Sequence, residues 1–144
     1  MPTTPACIFC RILTGEAEAS LVYEDENLAA FLDIFPMVHG HSLVVPRRHL
    51  AGLADLDSDL GGKMIDAGRK LATAMRPALG CQGVNLFLAD GTAAGQTVFH
   101  VHLHVLPRSG GDGFGLRRGL HSPPARHELE EQARRLRKAL GSPS

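Results

Sequence analysis

With 144 residues, fifteen basic and fifteen acidic side chains, and a net charge of +0 at pH 7, the chain is long enough to bury its own core. It carries no charge excess of the kind that binds a nucleic-acid duplex or an anionic membrane, so neither is expected as a partner. An apolar share of 44% beside 21% charged residues excludes a disordered or fibrous chain. The opening residues Met1 to Ala6 lack a basic stretch followed by an apolar core, and no apolar run reaches transmembrane length. A cytoplasmic location is expected. Three cysteines, Cys7, Cys10 and Cys81, are an odd number and argue against a disulfide framework. The Cys7-x-x-Cys10 spacing alone reads equally as half a zinc site, a redox dithiol or coincidence.

Residues 6–14, with apolar side chains at Ile8, Phe9 and Ile12 ahead of Gly15, predict a short helix. Residues 20–24 and 28–34 are β-prone runs joined by Asp25-Glu26-Asn27, a hairpin with an Asp/Asn turn. Residues 42–45 predict a third strand ending at Pro46. Leu53, Leu56, Leu60, Met64, Leu71 and Met75 recur at helical spacing and mark one face of a long helix over 53–75, capped by Asp55 or Asp57 and punctuated by Pro77 and Gly80. Residues 84–88 and 98–106 predict two further strands around the loop 89–97. After Pro123 and Pro124, Leu129, Ala133, Leu136 and Leu140 form an apolar stripe on a charged helix, with Glu130–Arg134 and Glu131–Arg135 at i,i+4. Strands and helices are segregated rather than alternating, which indicates an α+β domain: an antiparallel sheet of about five strands with one long and one short helix, plus a C-terminal helix. The expected division is a catalytic domain over 1–108 and an extension over 109–144 packed on that domain or on a dimer.

Within residues 96–108, His100, His102 and His104 alternate with Val101, Leu103 and Val105. On a strand this places three imidazoles on one face and the aliphatics on the other. A single strand histidine is usually an ordinary packed or surface residue, but three titratable rings in register pack poorly unless each finds a partner. Two chemistries suit them: binding one divalent metal, or attack of a neutral imidazole on phosphorus. The upstream loop with Gly91 and Gly95, followed by Gln96 and Thr97, offers backbone and side-chain donors to a phosphate and favours the second.

The run His100 to Leu106 matches the His-φ-His-φ-His-φ-φ signature, with φ apolar, and the chain resembles the histidine triad (HIT) family. The resemblance extends over Ala6 to Arg108, through Cys-Ile-Phe-Cys-Arg-Ile at 7–12, Phe-Leu-Asp-Ile-Phe-Pro at 31–36, His-Ser-Leu-Val-Val-Pro-Arg-Arg-His at 41–49 and Gly-Gln-Thr-Val-Phe at 95–99. Its look is that of the nucleoside phosphoramidase and bacterial dinucleoside polyphosphate hydrolase branch. The resemblance implies His102 as nucleophile, with its far nitrogen held by the His100 carbonyl, and His104 at the bridging atom or phosphate. It also implies Gly95, Gln96 and Thr97 near phosphate, Asp33 on the ribose hydroxyls, and Phe9, Ile12, Phe31 and Ile34 as the base slot. Physically, a vicinal diol suits a carboxylate acceptor and a planar base suits apolar walls.

One position departs from the pattern. Where many relatives carry asparagine before the glycine loop, this chain has Ala89-Asp90, and an aspartate repels a phosphate unless turned away. Some bacterial relatives bind a structural zinc through a matching Cys-x-x-Cys pair, which implies a closed Cys7, Cys10, His49, His100 set here. No catalytic cofactor is required. The expected activity is hydrolysis at the α-phosphate of nucleoside phosphoramidates or dinucleoside polyphosphates through a nucleotidyl-histidine, in a homodimer. The alternatives are a nucleotide-binding regulatory or scaffold protein with incidental hydrolysis, or a metal-dependent hydrolase with one ion held by His100, His102 and His104.

Overall fold

The computed structural model describes residues 4–116, 119 and 122–141. Five strands, β1 (Leu21–Glu24), β2 (Leu28–Leu32), β3 (Ser42–Pro46), β4 (Gly83–Phe87) and β5 (Leu103–Arg108), form one sheet in the order β1-β2-β3-β5-β4. Every neighbouring pair is antiparallel. Among the described residues three α-helices accompany it: α1 (Ile8–Leu13), α2 (Ser58–Leu79) and α3 (Arg126–Ala139). This is the α+β arrangement expected from the sequence. No helix among the described residues is long and apolar enough to cross a membrane.

The first hairpin closes where Asp25 was expected to turn the chain: its Oδ1 accepts the N–H groups of Asn27 (2.7 Å) and Leu28 (2.8 Å). β3 is buried on both faces, so its Leu43-Val44-Val45 run is continuous rather than alternating. On one face Leu28, Ala30, Val44, Val101, Leu103 and Val105 pack with Leu60, Met64, Leu71 and Met75 of α2. On the other, Phe31, Leu43 and Val45 pack with Phe9 of α1. The alternation that sends the aliphatics of the triple-histidine segment to the α2 face sends the histidines to the α1 face.

Two elements start several residues later than the sequence expectation. The long helix does not run unbroken from Leu53: a single 3-10 turn spans Leu53–Asp55, and α2 starts at Ser58, where the Asp57 carboxylate accepts the Leu60 N–H at 2.8 Å. It then continues through Pro77 to Leu79 and stops at Gly80, whose φ of 69° suits glycine. The last strand begins at Leu103, not at residue 98. β3 and β5 pair through Val44↔Leu103 and no further. Pro46 has no N–H to extend the ladder, its carbonyl accepts the His100 ring N–H (2.7 Å), and the Val101 N–H goes to Leu50 O (2.7 Å) instead.

The chain divides into two compact units, Met1–Phe114 and Gly115–Ser144. The first runs past Arg108 because that guanidinium is bound to Asp112 (2.8 Å) and to the Phe114 carbonyl. In the second, α3 is entered with the Glu128 carboxylate accepting the Ala125 N–H at 2.9 Å. Its ion pairs are Glu131–Arg134 and Glu130–Arg137 rather than the expected i,i+4 pairs. None of its residues is buried.

Candidate active site

A cavity of about 440 Å³ opens on the α1 face of the sheet. Phe9 and Ile12 of α1, Phe31 of β2, Asp33 and Ile34 beyond it, Gly95 and Thr97 of the glycine loop, and His102 and His104 all line it. These residues, scattered over the sequence, were the ones assigned to nucleotide and chemistry. Phe9 stands edge-on to both Phe31 (ring centroids 5.5 Å apart) and His102 (5.0 Å), so the apolar slot continues directly into the histidines.

Hydrogen bonds fix which nitrogen of each ring bears the proton. His102 Nδ1 lies 2.7 Å from the His100 carbonyl, which can only accept. The proton therefore sits on Nδ1, and Nε2 keeps its lone pair. For His104 the chain of reasoning begins at the backbone. The Met37 N–H donates to His41 Nδ1 (3.1 Å), so the proton of neutral His41 is on Nε2 and is donated to His104 Nδ1 at 2.8 Å. His104 is left with its proton on Nε2. Two adjacent rings, with centroids 4.8 Å apart, thus present opposite characters: an Nε2 lone pair on His102 and an Nε2–H on His104. Burial keeps both neutral, lowering the His102 pKa and pushing His104 down to about 3, with neighbouring histidines adding to the His104 shift. Phe87, opposite His104 in the β4–β5 register, stacks on its ring at 4.2 Å with the planes 10° apart.

Asp33 sits at the mouth of the slot. Its Oδ1 accepts the Phe35 N–H (2.9 Å), while Oδ2 lies 3.7 Å from His41 Nε2. Asp33, His41 and His104 form a compact group, but a cation there would have to displace the only ring proton of His41, whose other nitrogen already accepts from the backbone. The group is a hydrogen-bonded relay rather than a metal site.

His100 belongs to another constellation. Its Nε2–H donates to Pro46 O, leaving the Nδ1 lone pair 3.5 Å from Cys7 Sγ and 3.6 Å from Cys10 Sγ. His49 Nδ1 lies 3.3 Å from Cys10 Sγ, and the ligand atoms of Cys7, Cys10, His49 and His100 all fall within 4.8 Å of one another. With Zn–S near 2.3 Å and Zn–N near 2.0–2.1 Å, the edges of a tetrahedron measure about 3.3–3.8 Å, so the donor set fits a zinc ion in both spacing and chemistry. Facing the thiols, His100 does not converge with His102 and His104 on a common point, as one catalytic ion would require.

Gln96, alone among the residues expected to bind nucleotide, is not among those lining the cavity. Its Oε1 accepts the Gly91 N–H (2.8 Å), and Nε2 donates to Ala51 O (2.8 Å) and Val98 O (3.1 Å). A buried amide must satisfy its own groups, and Gln96 does so by bracing the loop that holds Gly95 and Thr97. Asp90 is turned away, its Oδ1 accepting the Leu53 N–H at 3.0 Å. His41 and Phe87 are the residues that sequence reasoning missed. A second open groove, of about 470 Å³ and lined by Tyr23, Asp25, Asp59, Lys63, Asp66 and Lys70, lies on the other face. Its charges are cross-paired, Lys63 with Asp59 and Lys70 with Asp66.

The HIT domain model matches residues 14–111, and the chain belongs to the HIT domain family. A HIT-like protein of Mycobacterium tuberculosis is 43% identical over 136 residues, covering 93% of this chain and 92% of the relative. An adenylylsulfatase of Arabidopsis thaliana is 36% identical over 102 residues, covering 71% of this chain and 52% of that one. Among solved structures, a zinc-bound histidine triad family protein from Mycobacterium smegmatis superposes with a TM-score of 0.74 at 41% identity, covering 96% of its own chain and 95% of this one.

Proposed function

We propose that the chain hydrolyses nucleotides at the α-phosphate, with nucleoside phosphoramidates or dinucleoside polyphosphates as substrates, through a nucleotidyl-histidine on His102. The observation that carries this reading is the pair of opposed tautomers at the end of an apolar slot: a nucleophilic nitrogen on His102 beside a donor on His104. Phe9, Ile12, Phe31 and Ile34 hold the base, Asp33 takes the ribose hydroxyls, and the Gly95–Thr97 segment faces phosphate. The similarity to an adenylylsulfatase, an enzyme named for a nucleotide α-phosphate substrate, supports the reaction class.

In the first displacement His102 Nε2 bonds to phosphorus as the bond to the leaving group breaks, with His104 Nε2–H donating to the departing atom. The His100 carbonyl, accepting from Nδ1–H, offsets the charge that develops on the His102 ring. In the second, water attacks phosphorus and the bond to His102 breaks. One water is consumed, its hydroxide ending on phosphorus and its proton on the leaving group. A zinc held by Cys7, Cys10, His49 and His100 would be structural, supplying rigidity to the segment that bears the His100 carbonyl. The domain that works this way is assigned to residues 1–108, with 109–144 as an extension. The chain is read as a homodimer, for which the open edge of β4 and its exposed Leu86 speak.

The decisive variant is His102→Asn. Turnover of a nucleoside phosphoramidate should fall by about 10³-fold or more, while nucleotide affinity persists because slot and loop are separate from the attacking nitrogen. Wild-type protein quenched during turnover of labelled nucleotide should carry acid-labile label on His102. Near-wild-type turnover in His102→Asn ends the covalent mechanism.

A further inference from the structure

The apolar slot has one charged side chain at its wall that the proposed chemistry does not use. Glu18 lines the cavity where the chain passes from α1 to β1, beside Ala19, which packs against the Phe9–Phe31 cluster. Phe9 and Phe31 are themselves aromatic walls of the slot, so Glu18 is adjacent in the chain to a residue packed on those walls. The cavity's other carboxylate, Asp33, is tied to the Phe35 N–H, and Glu16 lies in a separate recess. Glu18 is exposed, and among the described residues no hydrogen bond or ion pair engages its carboxylate.

A carboxylate offers acceptors only. The edges of the purine bases answer it differently. Guanine presents adjacent N1–H and N2–H donors that match the two oxygens of a carboxylate. Hypoxanthine keeps N1–H and lacks the amino group. Adenine presents one amino donor beside a bare ring nitrogen, which a carboxylate repels. The walls, being apolar, grip any base and do not discriminate.

We infer that Glu18 is a specificity-determining residue that gives this site a preference for guanine nucleotides; the inference rests on the reading of the cavity as a nucleotide site. The order of preference is guanosine, then inosine, then adenosine. Because Glu18 is exposed, solvent screening limits the effect to about fivefold between guanosine and adenosine. The contact is remote from phosphorus and equal in ground and transition states, so the preference resides in KM and not in kcat.

The test measures kcat and KM for guanosine, inosine and adenosine 5′-phosphoramidates with the purified full chain, Glu18→Ala and Glu18→Gln. The expected result is the stated order in the wild type, carried by KM, with the guanosine-to-adenosine ratio collapsing to about one in Glu18→Ala. Glu18→Gln, which keeps the length but turns one acceptor into a donor, should lose most of the preference too. A wild-type ratio of one or less, or a ratio that Glu18→Ala leaves unchanged, overturns the inference. If the wild type turns over none of the three, the phosphoramidase reading falls, and calorimetric binding of GMP against AMP to the same proteins decides the base preference by the same ratios.

Discussion

Removing metal from the Cys7, Cys10, His49, His100 set is the perturbation whose size can be worked out best. The set draws together α1, the segment after β3 and the stretch before β5, and three of its sulfur–nitrogen distances, 3.5, 3.3 and 3.6 Å, already approximate tetrahedral edges. A zinc that binds the folded chain and not the unfolded one stabilises it by RT ln(1 + [Zn]/Kd), about 4 kcal/mol when free metal stands at a thousand times Kd. For a domain of this size each kcal/mol moves Tm by about 3–4 °C, so stripping the ion should lower Tm by roughly 10–15 °C. Elemental analysis of protein purified without added metal should find about one zinc per chain. Calorimetry before and after a strong chelator reads the shift, and Cys10→Ser should show both the lost stoichiometry and the lower Tm. Metal-free protein as purified, with Tm indifferent to chelator and both thiols freely alkylated in the native state, refutes the reasoning.

Gly40, at φ 90°, sits just before His41, and an added Cβ would lie 2.6 Å from Leu79 Cδ1 and 3.0 Å from Pro107 Cγ. Leu79 is exposed and can swing aside, but the backbone conformation and the proline ring cannot, so Gly40→Ala should cost about 2 kcal/mol in urea denaturation; an unchanged midpoint contradicts the strain. Burial lowers the pKa of His41 and pushes His104 down to about 3, below the unfolded imidazole value of about 6.5. The folded state then binds fewer protons than the unfolded, so this stability is complete above about pH 6.5 and is lost as pH falls toward 3. Thermal melts should show Tm declining through that window, and a flat profile down to pH 4 would exclude neutral buried rings.

Where the sequence was legible, the determining pattern was local. Alternation put His102 and His104 opposite Val101, Leu103 and Val105, and the fold keeps that division even where the ladder has ended. The five strands and their order of appearance followed from short β-prone runs between turn residues. What escaped notice arrives by register. His41 reaches His104 because Leu43 pairs with it from β3, and Phe87 reaches the same ring from β4. Nothing in the segment Gly40-His41-Ser42 distinguishes such a histidine from an ordinary buried one. The partners of Gln96 were hidden for the opposite reason: a polar residue next to a glycine loop looks free to meet a ligand, and only the fold reveals that three backbone groups engage its side chain. The late start of β5 turned on Pro46, a residue on a different strand from the one it shortened.

His100 meets the thiol cluster with its ring and the His102 ring with its carbonyl. Its ring is clamped between Pro46 O and the two sulfurs, and its carbonyl receives the His102 proton. A carbonyl and a side chain on one residue share a single Cα, so φ, ψ and χ1 at this position are chosen jointly. The cysteines at 7 and 10 therefore constrain the aim of His102 from the far side of a peptide unit, although neither sulfur touches it. A descendant of this chain that abandoned the thiols would have to re-anchor the His100 imidazole by other means before the His102 ring could point the same way. Drift at residues 7, 10, 49 and 100 is thus expected to be concerted, and drift at any one of them alone to be felt in the cavity.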